Sequence, residues 1–437
     1  MSSASPTVQP EPRASWSWEP SQLIEWQVAR LNEQLEAILP VNNFYRRKFG
    51  TSRLQITRLE DLAALPLTCK QELVEAQAAD GLSDHHSYPA ERYSRVHRTS
   101  GTRGAPLLIM DTADDWQWWA DTWQHVLSAA EVTSHDRVFM AFSFGPFIGF
   151  WSAYEACVQR GAQLIPGGGL SSIARLEFMR QTAPTIIACT PSYALQLAEV
   201  AAECHFPIDE LPIRRLIVAG EPGGSLLPVR DRIEQLWGAK VIDHCGATEI
   251  GPWGFGWPTG SGVHVIETSF IPELLPLPGE LNGSDLRELV LTSLGRWGSP
   301  VFRYRTGDLV RGDLEPVERS SDRLCRFLWL RDGIIGRADD MVVVRGVNVF
   351  PSSIEAVVRR FPEIAEYRVT IRRRGQLDDL TLEVETSAEI AAALTRQLDI
   401  AIGLRIEARS VATGCLPRSD GKSNRWVDLR AKSTSEC

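Results

Sequence analysis

Arg98-Thr99-Ser100-Gly101-Thr102-Arg103-Gly104-Ala105-Pro106 is a run of hydroxyls and glycines between two apolar, strand-like segments. Arg95-Val96 leads into it, and Leu107-Leu108-Ile109-Met110 leaves it. Gly101 and Gly104 tolerate positive φ, so successive backbone N–H groups can turn inward and cradle an anion. Thr99, Ser100 and Thr102 add hydroxyl donors, and Arg98 and Arg103 add positive charge. A phosphate suits such a loop, but an ordinary Gly/Ser/Thr-rich hairpin has the same composition. It is not the G-x-x-x-x-G-K-[ST] loop, because no Lys-Ser or Lys-Thr pair follows at that spacing. The flanking chain has to decide.

Outward from the loop, strands and helices alternate. Thr112-x-x-Asp115 reads as a capping box opening a helix to Ala130, in which Trp116, Trp119 and Trp123 form a core-like stripe. Strands follow at 137–142, 163–166, 185–189, 215–219 and 240–243, with helices at 191 (Pro191 behind Thr190) and 226–237 between them. That alternation gives an α/β class with largely parallel pairing. Upstream, Trp18 to Leu39 is an amphipathic helix. After Pro252 the pattern shifts to Gly, Pro and short strands, which reads as a small β-rich subdomain. From about Arg337 a final block runs strand (341–345), helix (352–361, with Ser352-x-x-Glu355 as capping box) and strand (367–372). We expect a disordered N-terminus over 1–17, a large domain over 18–336 and a small one over 337–437.

Composition narrows the class. The 437 residues are 43% hydrophobic and 23% charged, as expected of a globular chain with more than one domain. A net charge of -9 argues against a nucleic-acid partner, and no apolar run is long enough to cross a membrane. Eight scattered cysteines without a C-x-x-C pair fit a cytoplasmic protein rather than a disulfide framework or zinc site.

Further motifs follow the loop in order: Gly220-Glu-Pro-Gly-Gly224, Gly246-Ala-Thr-Glu-Ile-Gly-Pro252, Tyr304-Arg-Thr-Gly-Asp308, the Gly336–Gly346 run and Leu416-Pro-Arg-Ser-Asp-Gly-Lys422. Together they resemble the adenylate-forming superfamily of acyl-CoA synthetases, adenylation domains and luciferases. Leu65-Pro-Leu-Thr-Cys-Lys70 and Gly346-Val-Asn-Val-Phe-Pro351 look like its phenylacetate–CoA ligase branch. The resemblance implies a large multi-layer domain with a small mobile α+β domain behind it, hinged at Asp339. It also implies a two-step reaction: ATP activates a carboxylate as acyl-adenylate, and coenzyme A then displaces AMP. The implied co-substrates and partners are ATP, Mg²⁺, coenzyme A and a small-molecule acid; a homodimer is compatible with it.

Roles carry over residue by residue. The loop over Thr99, Ser100, Gly101, Thr102, Arg103 and Gly104 would hold the β- and γ-phosphates. Thr248 would touch the α-phosphate, and Glu249 would hold Mg²⁺. Asp308 would accept the ribose hydroxyls, with Arg337 beside it. Gly220, Glu221, Pro222, His244, Cys245 and Gly246 would surround the nucleotide, and Lys422 would stabilise charge between carboxylate and α-phosphate. Arg345 and Gly346 would serve coenzyme A. Two departures stand out. Ala105 replaces the usual loop lysine, leaving Arg103 as the nearby cation. Cys245 stands where a tyrosine commonly stacks on adenine, so that His244 or the peptide before Gly246 is left to cover the base. Some relatives have a metal-holding Cys after Gly-Pro-Trp-Gly-Phe; Gly256-Trp257 follows here, and no structural zinc is expected.

The acid pocket would lie among Phe142, Phe147, Ala219, Gly220, Gly246 and Ala247. The aromatic loop Phe142–Phe147 favours a flat aryl acid (benzoate, an aminobenzoate such as anthranilate, or phenylacetate), although plain core phenylalanines read equally well. An aryl-CoA ligase is thus the expected function. A stand-alone adenylation protein loading a carrier-protein thiol is the alternative, as is a degenerate nucleotide binder, against which the retention of Glu249, Asp308 and Lys422 argues.

Overall fold

The computed structural model describes residues 9–77, 83–99, 106–277, 285–313, 325–338, 340–344, 347–374, 377–418 and 425–430. A hairpin of β1 (Tyr93–Arg98) and β2 (Leu108–Thr112) stands beside an 11-stranded sheet. In that sheet β3 (Arg137–Met140), β4 (Gln163–Pro166), β5 (Ile186–Cys189), β6 (Arg215–Ala219) and β7 (Lys240–Ala247) pair in parallel, in spatial order 4-3-5-6-7. β5 is buried at every position, as expected of a strand covered by helices on both faces. The helices Trp151–Arg160, Ser172–Thr182, Pro191–Glu203 and Leu227–Trp237 make the crossovers.

Beyond β7 the pairing turns antiparallel. The strands β8 (Gly251–Phe255), β9 (Val263–Val265), β10 (Phe270–Pro276), β11 (Arg287–Ser293), β12 (Tyr304–Asp313) and β13 (Trp329–Arg337) continue the sheet in order 7-8-9-13-12-11-10. The α/β class is as read, and the β-rich stretch after Pro252 continues the same sheet. Gly254 permits the join, since a Cβ there would stand 3.1 Å from the Cβ of its partner Cys245.

The capping box at Thr112 forms: Asp115 N donates to Thr112 Oγ1 at 3.1 Å and Thr112 N to Asp115 Oδ2 at 2.9 Å. It starts the helix Ala113–Ala129, whose Trp116, Trp119 and Trp123 are core. The box read at Ser352 does not form. Pro351 takes the first helical position, so Ser352 lies inside the helix, where its hydroxyl donates to Ile335 O. Glu355 instead meets Arg359, Tyr367 and Arg425. Disorder through residue 17 also gives way: Pro12–Ser15 is helical, and Trp16 is 4% exposed with its indole donating to His125 Nδ1 at 2.9 Å.

The C-terminal region has its own core, including Val344, Ile354, Val369, Leu382 and Leu394. It carries a four-stranded sheet ordered Glu407–Val411, Leu377–Glu385, Tyr367–Arg374, Trp426–Asp428. Where it meets the helix Pro191–Glu203 there is a cavity of about 280 Å³, lined by Ser192, Gln196, Glu199, Arg359, Glu366 and Arg425 among others. Among the described residues no helix is long and apolar enough to cross a membrane.

Several histidines are buried as neutral rings. Burial lowers His86, His97 and His244 to about 4 and His125 to about 3, and it pushes His85 well down too. Each folded value lies below the unfolded one of about 6.5. The unfolded chain therefore takes up protons that the folded chain refuses, and stability is lost as pH falls from 6.5 towards 4. Burial raises Asp115 and Asp243 to about 6 and Glu267 to about 7, so these carboxyls take up protons in the folded chain and offset part of the loss. With five histidines against them, the melting temperature should still drop by about 3–5 °C between pH 7 and pH 5. A flat profile over that interval would contradict the neutral, buried assignment.

Candidate active site

Strands β3, β6 and β7 direct their carboxyl ends to one place, and ligands of such sheets bind beyond those ends. The hairpin β1–β2 reaches the same place. Thr99 N donates to Leu107 O at 3.0 Å, and Leu107 N donates to Thr99 Oγ1 at 3.0 Å. Arg98 N donates to Pro146 O at 2.9 Å, tying the mouth of the glycine-rich loop to the aromatic loop after β3. Ser100, Gly101, Thr102, Arg103 and Gly104 lie outside the described residues, as do Asp339, Arg345, Gly346 and Lys422.

Glu249 is 7% exposed, and the Lys70 ammonium lies 2.7 Å from its Oε1. Lys70 arrives there through backbone pairing: Thr68 N donates to Arg303 O at 2.9 Å, and Arg305 N to Thr68 O at 2.8 Å. The stretch 65–70 is thus an extra parallel rung beside Tyr304. Tyr304 is buried near Glu249 and Asp308; burial first, then the Glu249 charge, keeps its phenol protonated. Asp308 and Arg337 are cross-strand partners, Nη1 3.2 Å from Oδ1. The two residues assigned to the ribose therefore stand together, and the two assigned to α-phosphate and metal share one turn with Lys70.

That turn is braced from behind. Arg296 is 0% exposed, and its Nη1 donates to the carbonyls of both Thr248 and Glu249 at 3.0 Å. Its Nε donates to Asp111 Oδ1 at 2.8 Å, and its guanidinium lies 5.1 Å from the Trp119 ring. Asp111 belongs to β2, so one buried ion pair links the hairpin of the glycine-rich loop to the turn of Glu249. Neither Lys70 nor Arg296 was assigned a role from the sequence. Lys70 was visible only as part of a motif, and Arg296, in Gly-Arg-Trp-Gly, reads as a solvated loop charge.

Gly220 has φ +94 and is exposed, while the Glu221 carboxylate accepts from the backbone N–H (2.7 Å) and hydroxyl of Ser192 and so secures the helix at Pro191. Pro222 is exposed beside it. Cys245 is buried against Gly254; burial, then Asp243 and Asp308, keep its thiol protonated. His244 is buried too, its ring centroid 4.0 Å from that of Trp123. In the aromatic loop Phe142 lies 4.9 Å from Phe144 and 5.0 Å from Phe150. Gly149 makes room for it, since a Cβ there would come within 2.7 Å of the Phe142 ring. Phe147 stands apart, exposed, with the Arg98 guanidinium 6.0 Å from its ring. Ala219 and Ala247 are half-buried between these groups and Gly246 is exposed.

Residues 346–430 match the family model of the AMP-binding enzyme C-terminal domain. The chain is 32% identical to a phenylacetate-coenzyme A ligase of Pseudomonas putida, over 94% of its own length and 95% of the relative's. It is 31% identical to the Escherichia coli phenylacetate-coenzyme A ligase, over 88% and 90%. Among solved structures it superposes on 2-hydroxyisobutyryl-CoA ligase in the postadenylation state with TM-score 0.87 and 27% identity, covering 96% of this chain and 92% of that one. Against the same enzyme in its thioesterification state the TM-score is 0.70.

Proposed function

Since the chain belongs to the phenylacetate-coenzyme A ligase family, we propose that it is an AMP-forming ligase joining an aromatic carboxylic acid to coenzyme A. The observation that carries the aromatic assignment is the Phe142–Phe144–Phe150 cluster, which follows the carboxyl end of β3 and reaches His244 of β7 through Trp123. Rings packed in this way favour a flat aryl guest.

The acid's carboxylate oxygen attacks the α-phosphorus of ATP, and the bond to pyrophosphate breaks. The coenzyme A thiol then attacks the acyl carbon, the bond to AMP breaks and the thiol proton is released. Thr248 contacts the α-phosphate, and the Asp308 carboxylate, held by Arg337, accepts the ribose hydroxyls. Gly220 and Gly246 let the nucleotide and acid approach the backbone closely, while Glu221 acts indirectly by fixing the Pro191 helix. Ser100 to Gly104 hold the outer phosphates, with Arg103 in place of the usual lysine. Lys422 serves the first step, and Arg345 and Gly346 the second.

Glu249 fits Mg²⁺, a cation that takes one or two carboxylates and draws its remaining oxygens from phosphate and water. Its pairing with the Lys70 ammonium supports this reading, since the carboxylate already faces a positive charge. A bound Mg²⁺ would supply charge neutralisation on the phosphates. Eight scattered cysteines without a C-x-x-C pair support a reducing, cytoplasmic setting.

Incubation with ATP and coenzyme A should yield AMP and thioester with benzoate, aminobenzoates or phenylacetate. AMP release with aliphatic acids alone would overturn the aromatic assignment. Asp308→Ala should raise the ATP KM by about tenfold or more, because a charge-assisted pair of hydrogen bonds is lost. Unchanged ATP affinity would remove Asp308 from the ribose site. Glu249→Gln should instead depress turnover across the Mg²⁺ range.

A further inference from the structure

Along β7 the side chains alternate, so Asp243 and Cys245 face one side of the sheet while His244 and Gly246 face the other. His244 is 6% exposed, and its Nδ1 lies 2.8 Å from the carbonyl oxygen of Gly254. A carbonyl only accepts, so the ring proton sits on Nδ1 and Nε2 is left as a bare acceptor. Burial keeps the ring neutral down to about pH 4. Among the described residues nothing donates to this nitrogen. The unpaired ring nitrogens of His85, His86 and His97 are sealed within the protein, but Nε2 of His244 is not. It lies 3.3 Å from the position a Cβ on Gly246 would take, so the glycine leaves it uncovered.

Its surroundings are aromatic. Trp123 packs on the His244 ring and lies 6.2 Å from Phe150, which in turn lies 5.0 Å from Phe142. The acceptor therefore stands at one end of the wall assigned above to the acid. A lone pair there repels a carboxylate and suits a donor carried elsewhere on the ring.

We propose that His244 is a specificity residue that selects an aromatic acid bearing a ring amino or hydroxyl group over one that carries hydrogen or methyl at the same position. The inference rests on the aryl-ligase reading and moves His244 from the adenine, where the family pattern suggested it, to the acid. Its physical basis is the penalty for burying an acceptor against a group that cannot donate. A site built around such a bond discriminates more sharply than an apolar one.

The test is acid-dependent ATP–pyrophosphate exchange by the full chain, using benzoate and its 2-, 3- and 4-amino, hydroxy and methyl derivatives. At one ring position the donor-bearing acid should exceed its methyl counterpart in kcat/KM by about 10- to 100-fold. His244→Leu should bring that ratio to about one, and His244→Gln should restore part of it. Thermal shifts on adding ATP would verify that the variants are folded, and the wild-type series stands even if they are not. A wild type that activates methyl and donor-bearing acids alike would overturn the inference while leaving the ligase reading intact. So would a His244→Leu enzyme with the ratio unchanged and a raised ATP KM, which would return His244 to the adenine. Exchange with no aromatic acid at all would overturn both.

Discussion

Lys422→Ala is expected to form acyl-adenylate about 10²–10³-fold more slowly than wild type, the loss typical of a preorganised charge stabiliser. The same variant should convert a supplied acyl-adenylate to thioester at nearly the wild-type rate. One lysine cannot stay between carboxylate and α-phosphate while the long coenzyme A chain approaches the same carbonyl. We propose that a rotation of the small domain about Asp339 would separate the two demands, since a few boundary residues can absorb a large backbone change. The chain superposes better on the postadenylation state of 2-hydroxyisobutyryl-CoA ligase than on its thioesterification state, with TM-scores of 0.87 and 0.70. Asp339→Pro should then show the reverse phenotype, accumulating adenylate and releasing little thioester. Rapid-quench measurement of each half-reaction decides. Equal impairment of both steps in Lys422→Ala would exclude the two-conformation scheme.

Arg296→Met should lower the free energy of unfolding by about 3–5 kcal/mol, the cost of stranding one member of a buried ion pair. Asp111 would be left at 0% exposure without its cation, and among the described residues only the Trp119 indole would still donate to it, at 3.2 Å. The carbonyls of Thr248 and Glu249 would lose their shared donor. Urea unfolding reads the loss. The double variant Asp111→Asn, Arg296→Met removes both charges and should recover part of the stability; no recovery would assign the cost to packing. Because the ion pair also braces the Glu249 turn, Arg296→Met should need more Mg²⁺ for half-maximal adenylation, whereas Arg296→Lys should need less than the Met variant.

What could be read in the sequence was local. Thr112 and Asp115 cap a helix three residues apart, and the spacing of Trp116, Trp119 and Trp123 reports one buried helix face. Parallel strands such as Ile186–Cys189 declare themselves by being apolar throughout. The order of motifs named Thr248, Glu249, Asp308 and Arg337, and the fold brings them together in pairs. What stayed hidden depends on distant partners. Arg296 meets Asp111 across 185 residues and Trp16 meets His125 across 109, and no periodicity reports such pairings. The Ser352 box misleads because its pattern is right, but Pro351 starts the helix one residue ahead of it, leaving Ser352 inside. The sequence shows a histidine before Cys245, but its tautomer is legible only from the Gly254 carbonyl that the fold sets against its Nδ1.

The cavity between the helix Pro191–Glu203 and the C-terminal domain bears on how readily the two can part. A void forfeits dispersion contacts on both its walls, so this stretch of the joint contributes little cohesion. Across it Glu199 on the helix faces the C-terminal Arg359 and Arg425, which pair with Glu355 and Glu366 on their own side. Such a joint behaves as a wet bearing, whose friction is set by ions rather than by grease. Any opening of this joint should therefore respond to ionic strength and be easier near 0.15 M salt than at low salt, because screening weakens the attraction of Glu199 to the facing arginines.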